Sequence, residues 1–215
     1  MMETSSEGEV NAEFQEKDGR MLVRAARESI RTYLESKRLL APDFVLKDKR
    51  FEKKRGCFVT LKQDDRTRTL RGCIGFPEPT FKLERALPES AVFAAVRDPR
   101  FDPIEISDLE SLLVEVSILS KPALINVGSK KEVSDHVIIG RDGLILKWEY
   151  GSGLLLPQVA TELNWDVEEF LCNLSMKAGA NPNQWLSPTS MIYRFQAQVF
   201  QEVKPEGEVV LQPVT

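Results

Sequence analysis

Histidine is almost missing from this chain: His136 is the single one in 215 residues. That excludes histidine clusters as metal centres and leaves one imidazole to activate any nucleophile. Cysteine is scarce as well. Cys57, Cys73 and Cys172 follow no regular spacing, so the chain carries neither a disulfide framework nor a C-x-x-C motif. Three such thiols predict a reducing compartment, the cytoplasm. No run approaches the ~18 apolar residues of a membrane span, and the acidic, polar N-terminus lacks the apolar core of a secretory signal. G-x-G-x-x-G, P-loop and H-E-x-x-H motifs are absent, so no cofactor is evident. Aromatic residues rarely interleave the basic ones, which argues against nucleic acid as a partner.

What is present is an ordinary globular composition, 42% hydrophobic and 29% charged, enough for a sizeable core. The net charge of −4 is unevenly spread. From Phe44 to Gly72 there are ten Lys or Arg against four Asp or Glu, a local excess of six positive charges. Such a segment is commonly a solvated loop and hairpin tip, and it can also steer an anionic ligand toward Arg71.

Residues 1–16, acidic and poor in apolar side chains, read as a disordered tail. Asp18–Leu40 reads as a helix with Leu22, Ala26, Ile30 and Tyr33 on one stripe, ended by Pro42. Cys57–Leu61 and Thr69–Ile74 form a hairpin. Phe81–Arg97 is helical by pattern, with Pro88 expected to interrupt or kink it. Leu112–Leu119 alternates as a strand. Val137–Gly140 and Leu144–Trp148 predict a second hairpin turning on Asp142-Gly143, followed by a flexible Gly151-Ser152-Gly153. Pro157–Leu163 fits a short helix, and Asp166 with Glu169 a capping box opening a helix to Ala178 that Gly179 stops. Met191–Val203 reads as one long closing strand, and 204–215 as a loose tail. Helices and hairpins without βαβ alternation place the fold in the α+β class. Two lobes are expected, the smaller an insertion over about 122–155 in the larger.

The least ordinary stretch is Leu70-Arg71-Gly72-Cys73-Ile74-Gly75, because glycine in a strand marks a bulge or a close approach. Pairing of Lys62 with Thr69 would set Thr60 opposite Arg71 and Phe58 opposite Cys73; a shift would set Cys57 there instead. Arg71 and Cys73 would then share a face, with the guanidinium favouring the thiolate and the bare backbone of Gly72 and Gly75 open to an anion. Cys73 is thus a candidate nucleophile, and Asp98 a candidate general base. Arg71, Gly72, Gly75, Arg100 and Gln158 are candidate ligand-binding residues. The competing reading makes Cys73 a small buried hydrophobe and Asp98–Arg100 a salt-bridged turn. His136 has no evident route to Cys73, and no metal set is present.

The hexamer resembles the signature of the AMMECR domain family, named for a human chromosomal deletion region. Asp98-Pro99-Arg100-Phe101, Glu115-Val116-Ser117, Leu156-Pro157-Gln158-Val159-Ala160 and Lys177-Ala178-Gly179 resemble family segments in the same order, so the similarity covers residues 17–203. It implies an α+β domain of two unequal subdomains, with the cysteine motif near the cleft between them, and no particular reaction. Some prokaryotic relatives are fused to or encoded beside a Memo-type protein and a radical-SAM protein, so a Memo-type partner is implied by analogy. The family usually has Phe-Pro-Pro after the Asp-Pro-Arg segment; here Asp102 stands in the first of those proline positions. Two functions follow as expectations: an enzyme acting on a small or anionic substrate around the hexamer, or a non-catalytic binding or scaffold module.

Overall fold

The computed structural model describes residues 14–39 and 49–212. Expectations for residues 1–13, Pro42 and 213–215 lie outside them. Helix α1 (Glu16–Ser36) buries Leu22, Ala26 and Ile30 of the predicted stripe while Tyr33 is half-buried, and it ends at Ser36, capped by Lys37 at φ 60°, short of the expected Leu40. Phe14, two residues before it and within the segment expected to be a disordered tail, is buried and stacks on Phe51 at 5.8 Å.

Strands β1 (Cys57–Gln63), β2 (Leu70–Phe76), β3 (Leu112–Leu119), β8 (Ala197–Glu202) and β9 (Val209–Leu211) make an antiparallel sheet in the order β2-β1-β3-β8-β9. The C-terminal segment is therefore not loose: it turns back at Pro205–Gly207 and pairs with β8 as the sheet's far edge. Helix α2 (Leu83–Val96) lies beside α1 on one face. It is continuous through Pro88, without the expected interruption. Pro88 removes the donor that would reach Glu84. The helix survives because Leu87, Pro88, Ala91, Ala94 and Ala95 are all buried, and because the Leu83 and Glu84 amides donate to the Lys53 and Phe51 carbonyls. A short helix α3 (Ile106–Leu109) then leads into β3.

Every residue of β3 is buried, because both faces of this central strand are covered. Val114, Val116 and Ile118 join the core under α1 and α2. Leu119, with its β8 neighbour Ala197, faces a second sheet and packs with Ile145 and Phe195 there. That sheet, in the order β4-β7-β5-β6, consists of β4 (Ala123–Leu124), β5 (Gly143–Trp148), β6 (Gly151–Leu155) and β7 (Met191–Phe195). Its other face holds Leu144, Leu146 and Ile192 against Phe170, Leu171 and Leu174 of α5 (Val167–Lys177). The layers run helix, sheet, sheet, helix.

The second sheet takes its strands from 123 to 195, beyond the insertion expected over 122–155. The long closing strand is two strands in two sheets. The switch falls at Gln196, whose amide donates to Ser120 Oγ and whose carbonyl accepts from the Ser120 amide, where the outgoing chain crosses the same gap. The second hairpin is also displaced. Asp142 is fully buried and accepts from the Ile138 amide and the Arg141 guanidinium, so it closes a tight turn. The hairpin forms one strand later, between β5 and Gly151–Leu155. Gly151 and Gly153 are strand residues because the Ala178 backbone lies against them; a Cβ on either would sit 2.6 Å from it. The capping box on α5 is present in both directions, and Gly179 (φ +76°) ends the helix as expected.

Candidate functional site

The hexamer is an edge strand, and its outer edge is closed by side chains. The Cys73 amide, turned away from β1, donates to Asp98 Oδ2 at 2.9 Å. Arg100 reaches the Cys73 carbonyl at 3.4 Å and holds Asp98 through Nε and Nη2 at 2.9 and 2.7 Å. Asp98 also accepts from its own turn, the Arg100 amide, at 3.1 Å. With Arg100 as the largest influence, these bonds hold the carboxyl at about 2. A carboxylate so acidic and so fully used is a poor general base. Asp98 and Arg100 instead occupy hydrogen-bonding groups that an unprotected edge would offer to another strand.

The pairing differs from both registers expected from sequence. Thr60 faces Cys73, Leu61 faces Gly72, Lys62 faces Leu70, and Cys57 faces Phe76. Arg71 is the extra residue of a bulge, so its guanidinium is not set beside the thiol. It donates to the Asp102 carbonyl at 2.8 Å and lies 5.9 Å from the centre of the Phe101 ring. Arg100 lies 5.3 Å from the same ring. Among the described residues Arg71 has no acidic partner.

The two glycines are not open to an anion. A Cβ on Gly72 would stand 2.2 Å from the Ala94 carbonyl oxygen of α2, and one on Gly75 2.5 Å from the Phe58 ring. Each space is filled by protein, so both positions serve close packing.

Cys73 is half-buried, its sulfur accepting from Thr60 Oγ1 at 3.3 Å. Burial pushes its thiol up. The Thr60 bond and the Arg100 charge pull the other way, and the Glu115 and Asp98 charges add to the rise. Cys57, fully buried beside Ser90, is pushed up to about 12. The expected depressed, reactive thiol is not what this environment produces. Iodoacetamide at pH 7 will label Cys73 more slowly than an unstructured peptide thiol, with a rate that climbs as pH is raised. Labelling as fast as the peptide at pH 7, read by mass spectrometry, would refute this. His136 is exposed, and its carbonyl accepts from Arg194.

Gln158 sits elsewhere. It is the second residue of α4 (Pro157–Glu162), at a cavity of about 250 Å³ shared with Thr161 and Glu162 and with Lys62, Glu115 and Gln201 of the first sheet. Thr60, Glu115 and Gln201 lie opposite one another on neighbouring strands, so one polar row runs from Cys73 to this cavity. Sequence reasoning did not single out Thr60, Lys62, Glu115 or Gln201. The available signal was Glu115 itself, a charge at the centre of a strand with a valine on either side. Among the described residues no three His, Cys, Asp or Glu side chains gather as a metal set, and no helix is long and apolar enough to cross a membrane.

These features define an α+β protein of two facing antiparallel sheets, with a glycine-cysteine edge strand locked by an Asp-Pro-Arg-Phe turn. The AMMECR1 family model matches residues 23–200, and the chain belongs to that family. It is similar to a protein of Methanocaldococcus jannaschii, 48% identical over 193 residues that span 90% of this chain and 94% of that one. It is also similar to a Methanopyrus kandleri protein, 47% identical over 195 residues, with 89% and 92% covered. The crystal structure of an uncharacterized protein from Pyrococcus horikoshii matches with a TM-score of 0.87 at 40% identity, covering 93% of this chain and 98% of that one.

Proposed function

We propose that this protein is a ligand-binding module without catalysis of its own, in which Arg71 and Arg100 receive an anionic group and Cys73 is structural. One observation carries the reading: two guanidinium groups stand over the same Phe101 ring, at 5.9 and 5.3 Å. Each is tethered, Arg71 by the Asp102 carbonyl and Arg100 by Asp98, so much of the ordering cost is met before a ligand arrives. Arg71 commits one donor to the protein and presents a fork that fits a carboxylate or phosphate. The basic stretch upstream adds steering. Against catalysis stand the raised Cys73 thiol and the saturated Asp98 carboxylate.

Inorganic phosphate, compared with sodium chloride at equal ionic strength, is expected to raise the melting temperature. At ten times its Kd the linkage amounts to about 1.4 kcal/mol, or about 3–5 °C for a chain of this size. Arg71→Ala abolishes the shift and Cys73→Ser keeps it. No shift in the unaltered protein, or loss of it in Cys73→Ser with the fold intact, would overturn the reading.

A further inference from the structure

We propose that the cavity between the first sheet and α4 is a second binding site, one for a small molecule carrying a primary ammonium group and neighbouring hydroxyls. Glu115 carries the assignment. It is 3% exposed, in the central strand, and its Oε2 accepts from Lys62 Nζ at 2.8 Å. Its Oε1 accepts no hydrogen bond from any described residue, although Glu115 lines the cavity. Burying an ion pair rarely adds stability over an apolar pair of similar volume. A carboxylate with one oxygen committed to Lys62 and the other left unpaired at the cavity is a costly way to build a sheet. It is an economical way to recognise a donor.

The surroundings specify the donor. Glu115 and Glu162 outnumber Lys62 among the charged groups lining the cavity, so the balance is negative and an anion is disfavoured. Two carboxylates without a third ligand do not make a metal set among the described residues. A monovalent ammonium fits: it donates to Glu115 Oε1 in a charge-assisted bond. The side chains of Gln158, Gln201 and Thr161 make no hydrogen bond with any described residue and supply donors and acceptors for hydroxyls. The volume of about 250 Å³ lies below the ~300–1,000 Å³ of drug-sized sites, so the molecule is small. The site is separate from Arg71, Arg100 and Phe101, none of which lines it.

The test is a titration of the full chain, followed by the backbone and side-chain amide NMR signals. Two probes differ essentially in one group: 2-amino-1,3-propanediol, with a central ammonium, and glycerol, with a central hydroxyl. The amine is expected to move the side-chain signals of Gln158 and Gln201, with glycerol about tenfold weaker, as a charge-assisted bond replaces a neutral one. Glu115→Gln removes the difference between the probes. If that variant does not fold, Gln158→Ala, on the half-exposed start of α4, weakens the amine about three- to tenfold. Arg71→Ala leaves the amine response unchanged, which separates this site from the anion site. Equal binding of glycerol and amine, displacement of the same signals by inorganic phosphate, or no movement at Gln158 and Gln201 would each overturn the assignment.

Discussion

Gly72→Ala lowers the unfolding free energy by about 3 kcal/mol, at the upper end of ordinary overpacking costs, and the melting temperature by about 6–12 °C. The added methyl would lie 2.2 Å from the Ala94 carbonyl oxygen and 3.1 Å from its carbon. These are backbone atoms of α2, which is wedged against α1 and β1 and cannot retreat alone. If the helix shifts, it takes with it the turn that begins at Asp98, two residues past its last turn. The phosphate response should therefore fall together with stability. Gly128→Ala is the control, since its nearest atom is a flexible Glu132 oxygen at 3.8 Å; it should stay within about 0.5 kcal/mol of the parent. Urea unfolding of both variants decides the matter. A Gly72→Ala chain within about 1 kcal/mol of the parent would mean that the strand and helix are not in the close contact described.

Arg27→Met is the second large effect, a loss of about 3–5 kcal/mol. Arg27 comes from the middle of α1 and is buried with Glu202 of β8, each side chain 4% exposed. Its Nε and Nη2 bind both Glu202 oxygens, at 2.9 and 2.5 Å, while Nη1 and Nη2 cap the Leu109 and Leu112 carbonyls at 2.8 and 2.6 Å. Glu202 also accepts from the Val114 amide at 2.9 Å. Removing the guanidinium leaves a carboxylate buried with one backbone donor. The double variant Arg27→Met with Glu202→Leu should recover part of the loss, because no unpaired charge remains. Recovery stays incomplete while the Leu109, Leu112 and Val114 backbone groups lack partners. Denaturant unfolding of the two single variants and the double one checks this. A single Arg27→Met cost below about 1 kcal/mol would show that the pair behaves as a surface one.

Several local features were legible because they depend on neighbours in sequence. The α1 stripe follows from 3.6-residue periodicity, and the α5 start from two carboxylates three residues apart. The stop at Gly179 needs only a residue that tolerates positive φ. The glycine-cysteine strand was recognisable as unusual, and Asp98–Arg100 as a salt-bridged turn. What that strand is for was less legible. Glycine reads the same whether a ligand or a helix fills the space above it, and here Ala94 and Phe58 fill it. One bulged residue was enough to move Arg71 away from the thiol, since register carries a period of two and a single insertion reverses it.

The sequence by itself determined the α+β class, the start and stop of α5, the family, and the segments from which a site could be built. Tertiary structure alone decided that Met191–Val203 splits between two sheets at Gln196, that Glu115 and Arg27 are buried charges, and that Gln158 shares a cavity with Glu115 rather than with Cys73. The physical reason is the same in each case. Periodicity and caps are written in contacts three or four residues apart. Burial of a charge, choice of sheet and strand register depend on partners up to 175 residues away, as Arg27 and Glu202 are. No local pattern records those partners.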